Sequence, residues 1–238
     1  MINGAKMWTS VQGEGTPILL CHGGPGGPDY LGPVAGMVDD FMQVLRYEQR
    51  GCGRSEKAPP YDLDTYIEDI EGIRRHYEVG QWLVGGHSWG ADLALAYALV
   101  HRDKVLGLVY LSGTGIQHDV DWTAAKEKGL TERGETRPQF TAPFNEFVHE
   151  TLRTSWYEFI KTPSLQKRIT QLDAPALFVH GSLDVRRVWP VEQLASLMPD
   201  ARLEIIEAEH FLWLTQPIEL RRLLREFLTQ LSSHPQRS

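Results

Sequence analysis

A serine, an aspartate and a histidine, in that order along 238 residues, carry the chemistry this sequence could perform. Ser88 stands in Gly85-Gly86-His87-Ser88-Trp89-Gly90, between the apolar run Gln81-Trp82-Leu83-Val84 and the Ala- and Leu-rich run Ala91 to Val100. That setting reads as a strand turning sharply into a helix, a nucleophile elbow. The turn demands glycine two residues to either side of the serine and pushes the hydroxyl out at the sheet's edge. The plainer alternative is a glycine-rich turn with a helix-capping serine. A serine hydroxyl is a poor nucleophile at neutral pH, so it needs a base, and the base needs an acid to orient it. His210, in Glu209-His210-Phe211, and Asp184, in Gly181-Ser182-Leu183-Asp184, each follow a strand-like run and suit those roles. Of nine histidines, His210 alone has this order and loop, while His22, His87 and His180 sit beside glycines and read as loop braces. Asp119 and Asp121 are the rival acids.

The elements that must position these groups alternate along the chain. Strands are expected at Lys6–Gln12, Ile18–Cys21, Phe41–Tyr47, Gln81–Val84, Val105–Leu111, Pro175–Gly181 and Arg202–Ile206. Several are continuous apolar runs, as in a parallel sheet covered on both faces. Asp62-Leu63-Asp64-Thr65 supplies N-cap candidates, and Thr65 with Glu68 fits a capping box, for a helix with Tyr66, Ile67, Ile70, Ile73 and Tyr77 on one stripe. In open α/β sheets ligands bind beyond the carboxyl ends of the strands, and Gly24, Ser88, Asp184 and His210 all fall just past such ends. The loop His22-Gly23-Gly24-Pro25-Gly26-Gly27-Pro28 exposes backbone N–H groups. The amides of Gly24 and Trp89 are therefore the expected oxyanion hole, worth roughly 3–4 kcal/mol per donor. Arg50 and Arg54, in another glycine-punctuated turn, read as structural.

From 115 to 171 the alternation stops, and this stretch reads as a cap inserted into a core of residues 1–114 and 172–231, with a disordered tail at 232–238. Phe144, Phe147, Val148, Leu152, Trp156, Phe159 and Ile160 recur at helical spacing. Trp122, Phe144 and Trp156 are the candidates to line an apolar substrate pocket. The cap glutamates, Glu127, Glu132, Glu135, Glu146, Glu150 and Glu158, read mostly as a wet face. A net charge of −7 leaves no basic stripe for nucleic acid or an anionic membrane. The two cysteines, Cys21 and Cys52, cannot define a disulfide framework. No His or Cys pair has metal-ligand spacing, so no metal site is expected. Without a leader-like start or a spanning apolar run, a cytoplasmic location is expected. The expected partner, a separate matter, is a small-molecule substrate.

His22-Gly23-Gly24-Pro25-Gly26, Gln49-Arg50-Gly51-Cys52-Gly53-Arg54-Ser55, Gly85 to Gly90 and Gly181-Ser182-Leu183-Asp184 together resemble the α/β-hydrolase superfamily, specifically its proline iminopeptidase-like branch. The resemblance covers Lys6 to Leu231 apart from the cap. It implies an eight-stranded, mostly parallel sheet, a Ser88–Asp184–His210 triad and no cofactor. Glu48, Glu209 and Thr215 depart from the branch's usual Asp, Gly and Glu. Three functions follow as expectations: hydrolysis of esters or small amides through an acyl-enzyme, release of N-terminal proline, or ligand reception without turnover. The cap is shorter than an iminopeptidase's, which favours the first.

Overall fold

The computed structural model describes residues 1–117 and 120–232, the side chains of 120 and 121 excepted. Asp119, the side chain of Asp121 and the tail beyond 232 thus lie outside the described residues. Seven strands form one sheet: β1 (Thr9–Gln12), β2 (Thr16–Cys21), β3 (Met42–Tyr47), β4 (Trp82–His87), β5 (Val105–Leu111), β6 (Ala176–Gly181) and β7 (Ala201–Ile206). Their spatial order is β1-β3-β2-β4-β5-β6-β7, with β1 antiparallel to β3 and every other pairing parallel. The resemblance implied eight strands. Ahead of β1 the chain instead doubles back at Asn3 and Gly4, both at positive φ, and makes an isolated bridge between Ile2 and Ala5.

The order reverses around β2, since β3 lies to one side of it and β4 to the other. The carboxyl ends of β2 and β4 therefore flank a crevice, the position at which open α/β sheets bind ligands. Apolar residues of α2 (Leu63–His76) and α3 (Trp89–Val100) cover one face of the sheet. The other face is covered from α1 (Gly32–Ala35) and, near the chain's end, from α8 (Leu212–Thr215) and α9 (Pro217–Ser232). Eleven of the twelve residues of α3 are buried, which an all-round apolar sequence requires of a helix at the centre of a fold. Of the N-cap candidates before α2 the structure selects the first. Asp62, in extended backbone, is the N-cap and accepts the Thr65 N–H at 2.8 Å, so Thr65 lies inside the helix.

Between β5 and β6 lie α4 (Val120–Arg133), α5 (Glu146–Ile160) and α6 (Leu165–Ile169); α7 (Trp189–Leu197) separates β6 from β7. Val148, Leu152 and Trp156 are the buried stripe of α5. Phe144 and Phe147, expected on the same stripe, are 43% and 64% exposed, because Phe144 precedes the helix, which begins at Glu146, and Phe147 lies off the side that buries Val148, Leu152 and Trp156. Arg50 bonds Asp69 at 2.9 Å and Arg54 bonds Glu48 at 2.9 Å, so both arginines hold the fold.

Candidate active site

Ser88 joins β4 directly to α3 with φ +56° and ψ −127°, a left-handed conformation that costs a non-glycine residue about 1–3 kcal/mol. The surrounding packing enforces it. A Cβ on Gly86 would stand 2.2 Å from the Gly90 carbonyl oxygen, and one on Gly90 would stand 2.0 Å from that of Cys21. The glycine spacing is thus the cost of pressing the elbow against the end of β2.

His210 follows β7 and Asp184 follows β6. The His210 Nδ1–H donates to Asp184 Oδ2 at 2.6 Å, which leaves Nε2 as the basic nitrogen. The other carboxylate oxygen of Asp184 accepts the backbone N–H of Arg186 at 2.9 Å and its guanidinium at 3.1 Å. Burial alone would raise the Asp184 carboxyl, but the charges of His210 and Arg186 outweigh it and hold the group well below the usual carboxylate range. Burial, reinforced by Arg186, pushes His210 below its ordinary value. Among the described residues the Ser88 hydroxyl makes no hydrogen bond. Its chain neighbour His87 packs against His210 with ring centres 4.6 Å apart, so His210 touches Asp184 on one side and, on another, the residue before the half-buried Ser88.

The expected oxyanion loop is tied down on both sides. Gly24 has φ +55° and its carbonyl accepts the Gly27 N–H at 2.7 Å. Gln49 links the loop to the elbow: its side-chain amide donates to the His22 carbonyl at 2.6 Å and its oxygen accepts the Trp89 indole N–H at 2.9 Å. Among the described residues the backbone amides of Gly24 and Trp89 have no acceptor. Trp89 is the first residue of α3, so its N–H carries the positive end of the helix dipole.

The three aromatic candidates are placed differently from one another. Phe144 lies over the glycine loop, 3.7 Å from where a Gly24 Cβ would be. Trp122 is buried, and its indole N–H donates to the Arg187 carbonyl at 3.3 Å. Trp156 is 2% exposed and packs edge-on against Trp89 at 6.0 Å, which makes it core beneath the elbow instead of pocket wall.

Glu135 departs furthest from expectation. Its neighbours Gly134, Thr136 and Arg137 are exposed, yet its own side chain is 3% exposed. It forms an ion pair with Arg186, accepts from Arg137 at 3.0 Å, and has an oxygen within 4.8 Å of ligand atoms of Asp184 and His210. These three groups could in principle hold a cation, but the Arg186 guanidinium already bonds both carboxylates. The other cap glutamates, Glu127, Glu132, Glu146, Glu150 and Glu158, are exposed. Burial and the nearby Arg186 lower Lys126, which reaches in from α4. Tyr30, Gln49, Arg186 and Glu135 were not legible as site residues. Arg186 could have been suspected from its place two residues after Asp184; nothing local marks Tyr30 or Glu135.

The chain belongs to the α/β hydrolase fold family, whose sequence profile matches residues 16–168. Within it, a proline iminopeptidase of Arabidopsis thaliana is 38% identical over 121 residues, which is 48% of this chain but 31% of that protein's length. Across the whole fold the chain is similar to a thermophilic esterase from Thermogutta terrifontis, with a TM-score of 0.79 at 20% identity over 96% of this chain and 94% of the other. A proline iminopeptidase from Mycobacterium smegmatis gives a TM-score of 0.76 at 18% identity over 98% and 97%. Among the described residues no helix is long and apolar enough to cross a membrane.

Proposed function

We propose that the protein is a serine hydrolase that cleaves ester or small amide bonds of a small molecule through an acyl-enzyme on Ser88. The observation that carries this reading is the 2.6 Å His210–Asp184 bond, with His210 packed on His87, the residue before a serine held at φ +56° in a glycine-flanked elbow. With Nδ1–H committed to Asp184, His210 Nε2 takes the Ser88 proton as the oxygen attacks the substrate carbonyl. The amides of Gly24 and Trp89 then receive the developing oxyanion. Collapse of the adduct breaks the bond to the leaving group, which takes its proton from Nε2–H. A water activated by the same nitrogen releases the acid. The segment 115–171 serves as the cap that chooses the substrate.

One observation favours the second reading, a proline iminopeptidase. Such an enzyme needs a desolvated carboxylate to hold the substrate's free ammonium, and Glu135 is a buried carboxylate next to the base. The charge balance favours the first reading. Glu135 is already bonded by Arg186 and Arg137, and the loop is roofed by the apolar ring of Phe144. Short or medium acyl esters are the expected substrates.

A fluorophosphonate probe tests the chemistry: it should label the wild type and leave Ser88→Ala unlabelled. Substrate class is tested among anilides of equal intrinsic reactivity. A prolyl-anilide should gain little over an alanyl-anilide or an N-acetylated prolyl-anilide. A large prolyl preference that N-acetylation abolishes would establish the iminopeptidase instead.

A further inference from the structure

We propose that Arg186 and Glu135 are positioning residues for the base: Arg186 grips Asp184 by the oxygen that His210 leaves free, and Glu135 balances the guanidinium beside the imidazole. This rests on the serine-hydrolase reading above.

The geometry is that of a built arrangement. Arg186 donates to both carboxylates, and its side chain and that of Glu135 are 11% and 3% exposed. The segment that delivers Glu135 also grips the other loop, since the Thr136 N–H donates to Glu209 Oε2 at 2.7 Å. Adjacent residues of one segment therefore bind the loop of the acid and the loop of the base. Arg186 alone would oppose the imidazolium that must form at His210 during proton transfer. Glu135 opposes that effect, as a negative charge favours the protonated ring.

The other groups facing His210 leave these two as the adjustable charges. Asp184 is bonded to it directly. His87, from the elbow, is kept neutral, because burial pushes it well below its ordinary value. His180 lies 3.9 Å from Asp184 and is lowered by burial. Glu209, in the same loop, is engaged by Thr136, and Lys126 is lowered by burial and by Arg186.

The test is the pH profile of kcat/KM on p-nitrophenyl butyrate, a substrate with no cation for Glu135 to hold. Removing the negative charge with Glu135→Gln should move the acid limb to lower pH. Removing the positive charge with Arg186→Met should move it to higher pH, each by about one unit, with the double variant returning between them. Arg186→Lys should keep the limb in place but lower kcat, because one ammonium cannot bridge two carboxylates as the planar fork does. Shifts of the same sign, or an unmoved limb in Glu135→Gln, would overturn the proposal. If Arg186→Met does not fold, the Glu135→Gln arm decides. Fluorophosphonate labelling of the wild type separates the two levels: without it the hydrolase reading falls and this inference with it, whereas labelling with unmoved limbs overturns the inference alone.

Discussion

The His87 ring donates its Nε2–H to the His210 carbonyl at 3.0 Å, and its Nδ1 lies 2.8 Å from the Tyr30 hydroxyl. Because a carbonyl can only accept, Nε2 carries the proton of this neutral ring and Nδ1 must accept from Tyr30. The Tyr30 oxygen in turn accepts the Gly23 N–H at 2.9 Å. One chain of hydrogen bonds thus joins the glycine loop, the elbow and the loop of His210.

Tyr30→Phe should break that chain while keeping the ring's stacking on Trp213 at 5.8 Å. It leaves a buried donor and acceptor unpaired, each costing about 1–3 kcal/mol. If the cost falls on the alignment of the oxyanion loop, kcat should drop about tenfold or more with KM nearly unchanged. Steady-state kinetics on one acyl ester checks this; an equal loss in KM alone would assign Tyr30 to substrate binding.

Asp184→Asn should leave the fold intact and lower kcat by about four orders of magnitude, since an amide would hold the imidazole in the wrong tautomer. Circular dichroism and esterase turnover measure the two halves of that statement. Near-normal turnover would move the acid to another residue.

Trp156→Ala and Phe144→Ala should separate core from pocket wall. Trp156 is 2% exposed, so its loss should cost about 3–5 kcal/mol of stability. Phe144 is 43% exposed over the glycine loop, so its loss should barely move the denaturation midpoint but raise KM for acyl esters. Chemical denaturation and kinetics on both variants distinguish the roles.

Gly90→Ala should destabilise the protein by about 1–3 kcal/mol or more, because the new methyl would meet the Cys21 carbonyl at 2.0 Å and backbone cannot give way cheaply. Gly80→Ala is the control, with nothing within 4 Å of its Cβ and no positive φ. Equal melting temperatures for the two variants would contradict the close approach.

Stability should fall as the pH drops below about 6.5. His22, His87, His180 and His210 are all held below their ordinary value by burial, so the unfolded chain takes up protons that the fold refuses. Each then removes up to about 1.4 kcal/mol per pH unit until its folded value is passed. Asp69 and Asp92 act the other way. Burial raises both, Asp92 to about 7, so over the acidic range the fold holds protons that the unfolded chain has lost. Four groups against two give a net loss, and urea midpoints at pH 7, 6 and 5 should decline in that order.

The α/β class, all seven strands to within a few residues, and the sharp strand-to-helix turn at Ser88 were legible in the chain itself. Those features are local: glycine spacing reports a close turn, and a continuous apolar run reports a strand buried on both faces. The N-cap of α2 was narrowed to the run Asp62-Leu63-Asp64-Thr65 and no further, because Asp62 and Thr65 can both cap a helix until the backbone chooses. Exposure in the cap was decided only by the tertiary structure. Trp156 and Phe144 have the same apolar signature, yet one is buried under the elbow and the other lies open on a loop. Glu135 looked like its five exposed counterparts until Arg186, 51 residues away in the chain, drew its carboxylate inward. A buried charge is a property of its partner, and a partner that distant leaves no mark on the local sequence.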